Sequence, residues 1–249
     1  MEFGARAAPN GYTLISAPTG NLVVNPHLFP NLPFDSFKSF APVTMLANVQ
    51  NVLVVHPSLP VKTVAELIAL AKSRPGALTY GSGGSGSQSH VGVEVLKGMT
   101  SSYILHIPYK GVADMLKDLM GGELSMALAQ LPSVAQHLQS GRLRAIGIAS
   151  RQRSPLLPNV PAIAETAGLE RFESVSWYSL VAPAGTPAEI IQRIASEATR
   201  ALQTPALRDK LQGLGAEAVG GTPEQLLTVM RSDFERYGEV IRRLKLKPD

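Results

Sequence analysis

Apolar residues along the chain fall into short blocks separated by longer amphipathic stretches, and polar clusters punctuate the two. Blocks such as "GALTYG" or "NVLVVH" have the length and apolar density of strands, whereas the longer stretches carry one apolar stripe at helical spacing. This pattern predicts strands at Tyr12–Ser16, Ala41–Ala47, Val52–His56, Ala77–Tyr80, Tyr103–Ile107, Leu124–Ala129, Leu143–Ala149, Val175–Val181 and Glu217–Val219. Helices between them predict an α/β fold with a largely parallel sheet. Three helix starts are written as Thr-x-x-Glu/Gln capping boxes, at Thr63–Glu66, Thr186–Glu189 and Thr222–Gln225. Gly76, Gly121–Gly122, Gly141 and Gly168 follow predicted helix ends, where a left-handed residue closes the last turn.

No linker rich in Pro, Gly and Ser divides the chain. The strands around Val52–His56 and Trp177–Pro183 bracket a middle segment with its own βα alternation, and the segment from Thr186 onward is nearly all helix. It has too few strands for a sheet of its own, so it should pack back on the N-terminal segment. The expected organisation is two lobes joined by two crossing strands, residues 1–55 plus 183–249 in one and 56–182 in the other. Such an arrangement suits a ligand cleft.

Composition narrows the function. With 249 residues, 45% hydrophobic and 17% charged, the chain can bury a sizeable core and has no apolar run long enough to span a bilayer. The net charge of +4 is spread thinly and aromatics make up 6%, which argues against nucleic-acid binding. The absence of cysteine excludes disulfides, thiolate nucleophiles and cysteine metal sites. It fits a cytosolic or an exported bacterial protein equally. The opening "MEFGARAAPNGYTL" lacks the charged and apolar regions of a secretion signal.

The densest chemistry lies in "TYGSGGSGSQSH", Thr79–His90, with four glycines and four serines after a predicted strand. Gly81–Gly86 spells G-x-G-x-x-G, but the following strand ends in His106, Pro108, Tyr109 and Lys110, with no acid before Asp114 to hold a ribose. No Lys-Ser or Lys-Thr follows the last glycine, so a phosphate-binding P-loop fails too. A small serine hydrolase using Ser85 or Ser87 with His90 is the enzyme alternative, although no nearby acid orients the histidine and the G-x-S-x-G elbow is incomplete. His27, His56, His106 and His137 are isolated, without metal spacing, and read as packed or hydrogen-bonded residues. What remains is a loop of backbone N–H groups and hydroxyls opening a helix near Ser89, which is either an anion site or a flexible connector. The strand–loop–helix context favours the anion site, and no cofactor or metal is expected.

Four segments in order, "YGSGGSGSQSH", "HIPYKG", "LPNVPAIAETAGL" and "SWYSLVAPAGTP", resemble the Bug/TctC-like family of solute-binding proteins of tripartite tricarboxylate transporters. "AAPNGYTL" and "VNPHLFPNLPFDSFKSFAPVT" extend the likeness over the chain. The resemblance implies a two-lobed periplasmic-binding-protein-like (Venus flytrap) fold that takes a small di- or tricarboxylate between its lobes, with no catalysis. It further implies a periplasmic location and the transporter's membrane components as partners. On this basis Thr19 and Asn21 of the "APTGN" loop and Ser82, Gly84, Ser85, Gly86 and Ser87 of the glycine-serine loop are ligand-binding candidates. Tyr109, Lys110 and Gln130 complete the set, Gly84 and Gly86 acting as N–H donors and Lys110 as a fixed positive charge. His90 would orient the loop, and Asn25 would cap a helix or turn. Family members usually carry an Asp where this chain has Ala129, which counts against an amino-acid ligand. The family also places a strand, a Gly-rich loop, a helix and a second strand ahead of the "AAPNGYTL" segment. A first lobe truncated in this way is expected to leave an exposed edge at Tyr12–Ser16 and to self-associate through it.

Overall fold

A computed structural model describes residues 1–248. In chain order its elements are α1 (Glu2–Ala5), β1 (Ile15–Pro18), α2 (Asn25–Leu28), β2 (Phe40–Val49), β3 (Asn51–Val55), α3 (Val64–Ser73), β4 (Thr79–Ser82), α4 (Gln88–Thr100) and β5 (Leu105–Pro108). There follow α5 (Val112–Gly121), β6 (Met126–Gln130), α6 (Leu131–Gln139), β7 (Arg144–Ile148), β8 (Ser176–Pro183), α7 (Ala188–Leu202), α8 (Pro205–Gly213), β9 (Ala216–Ala218) and α9 (Pro223–Leu244). A π-helical turn occupies Gly20–Val24. Each of the nine predicted strands overlaps an observed one.

The chain forms two compact units, Met1–Val49 with Ser176–Pro248, and Gln50–Val175. β3 pairs only within the second unit and β8 only within the first. The chain passes from one unit to the other at Gln50 and before Ser176, several residues from the expected boundaries.

The first unit's sheet has the order β1-β8-β2-β9, with every neighbouring pair antiparallel. This corrects the expectation of a mostly parallel sheet. A parallel pair needs a crossover, usually a helix, between its strands. Here the neighbours come from remote parts of the chain, so no βαβ unit sets their direction. The C-terminal helices do pack back on this sheet: Ile191 and Ala195 of α7 bury against Val43 of β2 and Ala182 of β8. α9 buries Leu226, Met230, Tyr237 and Ile241. β1 forms one edge, and Tyr12 just before it is exposed.

Two of the three capping boxes form, at Thr63–Glu66 and Thr222–Gln225. The third does not. The turn leaving β8 curls Thr186 back, its hydroxyl donates to the Pro183 carbonyl at 2.8 Å, and Pro187 takes the capping position of α7.

In the second unit the order is β5-β4-β6-β3-β7. β5, β4 and β6 run parallel, as βα alternation demands, while β3 is antiparallel to both neighbours because the chain enters it straight from β2 without a helix. Val52, Leu53, Val54 and Val55 are all fully buried. Leu53 and Val55 pack with α3 and α4 on one face, Val52 and Val54 with α5 and α6 on the other. A strand covered on both faces is apolar at every position, which explains the continuous run.

Candidate ligand-binding site

Strand register in the second unit brings the candidate residues to one sheet edge. Ser82 at the end of β4 pairs with Pro108 at the end of β5, and Gly81 with Ala127 of β6. Gln130, which ends β6, pairs with Asn51, and Ile148, which ends β7, pairs with Val52. The carboxyl ends of β4, β5, β6 and β7 therefore share one edge, where open α/β sheets receive ligands. The Gly83–Ser87 loop, Tyr109, Lys110 and Gln130 all emerge there.

The loop is internally braced. The Ser87 hydroxyl donates to the Gly84 carbonyl at 2.6 Å and accepts from the His90 N–H, capping α4. The Ser89 hydroxyl takes the Gly83 N–H at 3.2 Å and lies 2.9 Å from Ser87 Oγ. Gly84 N–H donates to Ser82 Oγ and Gly86 N–H to His90 Nδ1, each at 3.2 Å. The two glycine N–H groups expected to face a ligand are thus engaged within the loop. At Gly84, φ is +113° and an added Cβ would stand 3.3 Å from the Tyr109 carbonyl, so only glycine suits the position.

Beneath the loop lies a column of rings. The His106 ring stacks on Tyr80 at 4.7 Å and on His90 at 4.3 Å between centroids. His106 Nε2 is 2.7 Å from the Ser82 hydroxyl. The Tyr80 hydroxyl donates to Glu94, which Lys97 pairs in turn. His90 is buried, and its Nδ1 accepts the Gly86 N–H of the loop. His106, read in the sequence as an isolated packed residue, is the centre of this column.

The remaining candidates divide. The Tyr109 hydroxyl donates to Asp118 of α5 at 2.8 Å, and burial together with that carboxylate pushes its pKa up to about 12. Its side chain therefore braces α5, while its N–H donates to the Ser82 carbonyl. Lys110 is exposed and makes no ion pair among the described residues. Thr19, in the first unit, is buried, and its hydroxyl donates to the Trp177 carbonyl and accepts from the Trp177 N–H at 2.9 and 2.7 Å. Asn21 lies in the π-helical turn, half-buried, with no side-chain hydrogen bond among the described residues. Asn25 opens α2 without capping it, and its side-chain oxygen is buried without a partner, so the capping role expected of it is not seen.

Sequence reading missed a polar cluster on the same edge. Asn51 Nδ2 donates to the Ser174 carbonyl at 2.7 Å, and Gln88 Nε2 to the Ser174 hydroxyl at 3.0 Å. Its signal was the asparagine heading an otherwise apolar strand. No group of three or more His, Asp or Glu side chains suited to a metal ion occurs among the described residues.

The model of the tripartite tricarboxylate transporter family receptor matches residues 1–246. The chain belongs to this family. The receptor is 34% identical over 244 residues to protein BugT of Bordetella pertussis, covering 98% of this chain and 74% of that one. Among solved structures, Rpa4515 of R. palustris with adipate superposes with a TM-score of 0.94 at 34% identity, covering 100% of this chain and 83% of that one. MatC of Rhodopseudomonas palustris with bound malate gives 0.86 at 28% identity, covering 96% and 82%. The family is one of solute-binding receptors, not enzymes, and its members are extracytoplasmic. The hydrolase alternative accordingly falls. Ser87 Oγ donates to a carbonyl, and because His90 Nδ1 accepts a backbone N–H, the neutral ring carries its proton on Nε2, the nitrogen a triad needs unprotonated to take the serine proton.

Proposed function

We propose that this receptor captures a small di- or tricarboxylate in the periplasm for the membrane components of a tripartite transporter, and that one ligand carboxylate sits at the carboxyl edge of the second unit's sheet. The observation that carries the reading is the braced Gly83–Ser87 loop opening the thirteen-residue helix α4 at that edge. Uncompensated N–H groups in a helix's first turn attract anions, and the macrodipole adds positive potential. No acidic residue lies in that first turn. With Gly84, Gly86 and the Ser82 and Ser87 hydroxyls engaged, the donor assigned to the carboxylate is the Ser89 N–H, with Lys110 as the nearby cation. Asn21 remains a candidate on the first unit. The adipate and malate of the two neighbours support a dicarboxylate in particular.

Mass spectrometry of small molecules released on denaturing the purified protein should return a di- or tricarboxylic acid. Calorimetry against adipate, malate and citrate should show binding to at least one, and Lys110→Ala should weaken it about two- to fivefold, as expected of one exposed charge. Heat-free titrations with the whole panel, and no acid released, would defeat the reading. Self-association belongs to the same reading and would run through the β1 edge. Light scattering over a concentration series tests it, and a constant mass would exclude it.

A further inference from the structure

We propose that His90 is a positioning residue whose unprotonated Nδ1 holds the glycine-serine loop in its binding shape, so that protonation of His90 releases the loop and lowers carboxylate affinity. A backbone N–H can only donate, so the Gly86–His90 hydrogen bond at 3.2 Å requires a lone pair on Nδ1. Gly86 is buried and left-handed at φ +80°, and its N–H is donated to His90. The ring cannot swing away to find another geometry, because His90 is 4% exposed and lies flat on His106, with 17° between the ring planes. His106 is fixed from its other side by Tyr80 and at its edge by the Ser82 hydroxyl. A proton on Nδ1 would set two donors, N–H against N–H, face to face inside a packed column. The loop has to yield, since the rings cannot.

The ionisable groups on the elements packed around the pair are few. Tyr80 on β4 bonds Glu94, and Lys97 pairs with the same carboxylate, both on α4. On the β5 and α5 side Tyr109 is bonded to Asp118. β6 carries no charged residue. Glu94 is thus already matched by Lys97 and the Tyr80 hydroxyl. His106 on β5, the titratable ring stacked on His90, meets the loop through the Ser82 hydroxyl, whereas His90 accepts a loop N–H directly.

The proposal rests on the carboxylate-binding reading for its affinity consequence but not for its structural core, and the test separates the two. In a pH series from 8 to 5, nitrogen-15 NMR of the histidine rings should show His90 Nδ1 as an unprotonated acceptor at high pH. The Gly86 amide should be protected from exchange there and lose that protection as His90 titrates. Affinity for adipate or malate, whichever binds, should fall about three- to tenfold over the same pH span, the scale of one lost hydrogen bond. His90→Leu should show the low affinity at every pH. His90→Asn, whose side-chain oxygen can take the Gly86 N–H, should recover most of it and no longer respond to pH. Gly86 protection that ignores His90 titration, or an equal pH response in His90→Asn, overturns the proposal. If neither acid binds the wild-type protein, the ligand reading fails while the ring and amide signals still decide the role of His90.

Discussion

The Thr19 side chain closes a ring with one residue far along the chain, accepting the Trp177 N–H and donating to the Trp177 carbonyl. Both backbone groups are buried, so removing the hydroxyl leaves a donor and an acceptor unmatched. Thr19→Val should lower the unfolding free energy by about 2–6 kcal/mol in urea melts, twice the usual penalty for one such group, and Thr19→Ser should restore most of it. Trp177 itself is 4% exposed and its indole N–H donates to Asp233 at 2.7 Å. Its emission should therefore be insensitive to a bound carboxylate, whereas Asp233→Ala should shift the maximum; a ligand-dependent shift in the wild-type protein would contradict the packing. Residues of this kind mark the limit of sequence reading. Thr19 stood out beside Asn21 as a polar side chain after a strand, and nothing local distinguishes a hydroxyl that meets ligand from one that meets a strand 158 residues away.

Elements were legible wherever the signal is local. Strand blocks are short and apolar, and the capping boxes at Thr63 and Thr222 need only the next turn to form. Thr186 failed because a competing carbonyl lay three residues back, and sheet direction failed because it depends on which remote strands meet. The glycine-serine loop was legible as a site-like segment for the same local reason, while the engagement of Gly84 and Gly86 depends on His90 and Ser82 in the folded loop. One contact between elements carries a pH dependence. His27 of α2 bonds the Phe234 carbonyl of α9 at 2.8 Å and lies over Gly238, where an added Cβ would stand 2.6 Å from its ring. Burial, with the charge of Arg242 adding to it, lowers the His27 pKa below 6.5 in spite of the bond to Phe234. The unfolded chain then binds a proton that the folded chain refuses. Stability associated with this contact is complete above pH 6.5 and is lost as pH falls through the lowered folded value. Urea midpoints at pH 7.5 and 5.5 should differ more in the wild-type protein than in His27→Gln, and equal differences would remove His27 as the cause.

At the scale of the molecule, the second unit is an insertion between two residues that face each other. Val49, the last residue of β2, pairs with Ser176, the first of β8. The ends of the inserted segment are tied to its own sheet, Asn51 to Ser174 and Ser174 N–H to the Ala149 carbonyl at 2.8 Å. Residues 50–175 expressed alone should therefore fold cooperatively, with dispersed amide NMR signals. A two-residue Asn-Gly turn in their place should join β2 to β8 as a hairpin in the first unit. A chain of residues 50–175 that stays unfolded would show that the first unit is needed to complete it.

That pairing of Val49 with Ser176 also dictates a sequence of events in time. Until the inserted segment has collapsed, the ladder between β2 and β8 must close an unstructured loop of its whole length, and closing long loops is slow even where it is affordable at equilibrium. Once the insert has folded, its own bonds hold its two ends together and the ladder starts from neighbours. A ribosome delivers the pieces in the same order, since the insert is complete before β8, α7 and α9 exist. Refolding followed through the single tryptophan, which lies in the late unit, should lag behind refolding followed through far-ultraviolet circular dichroism.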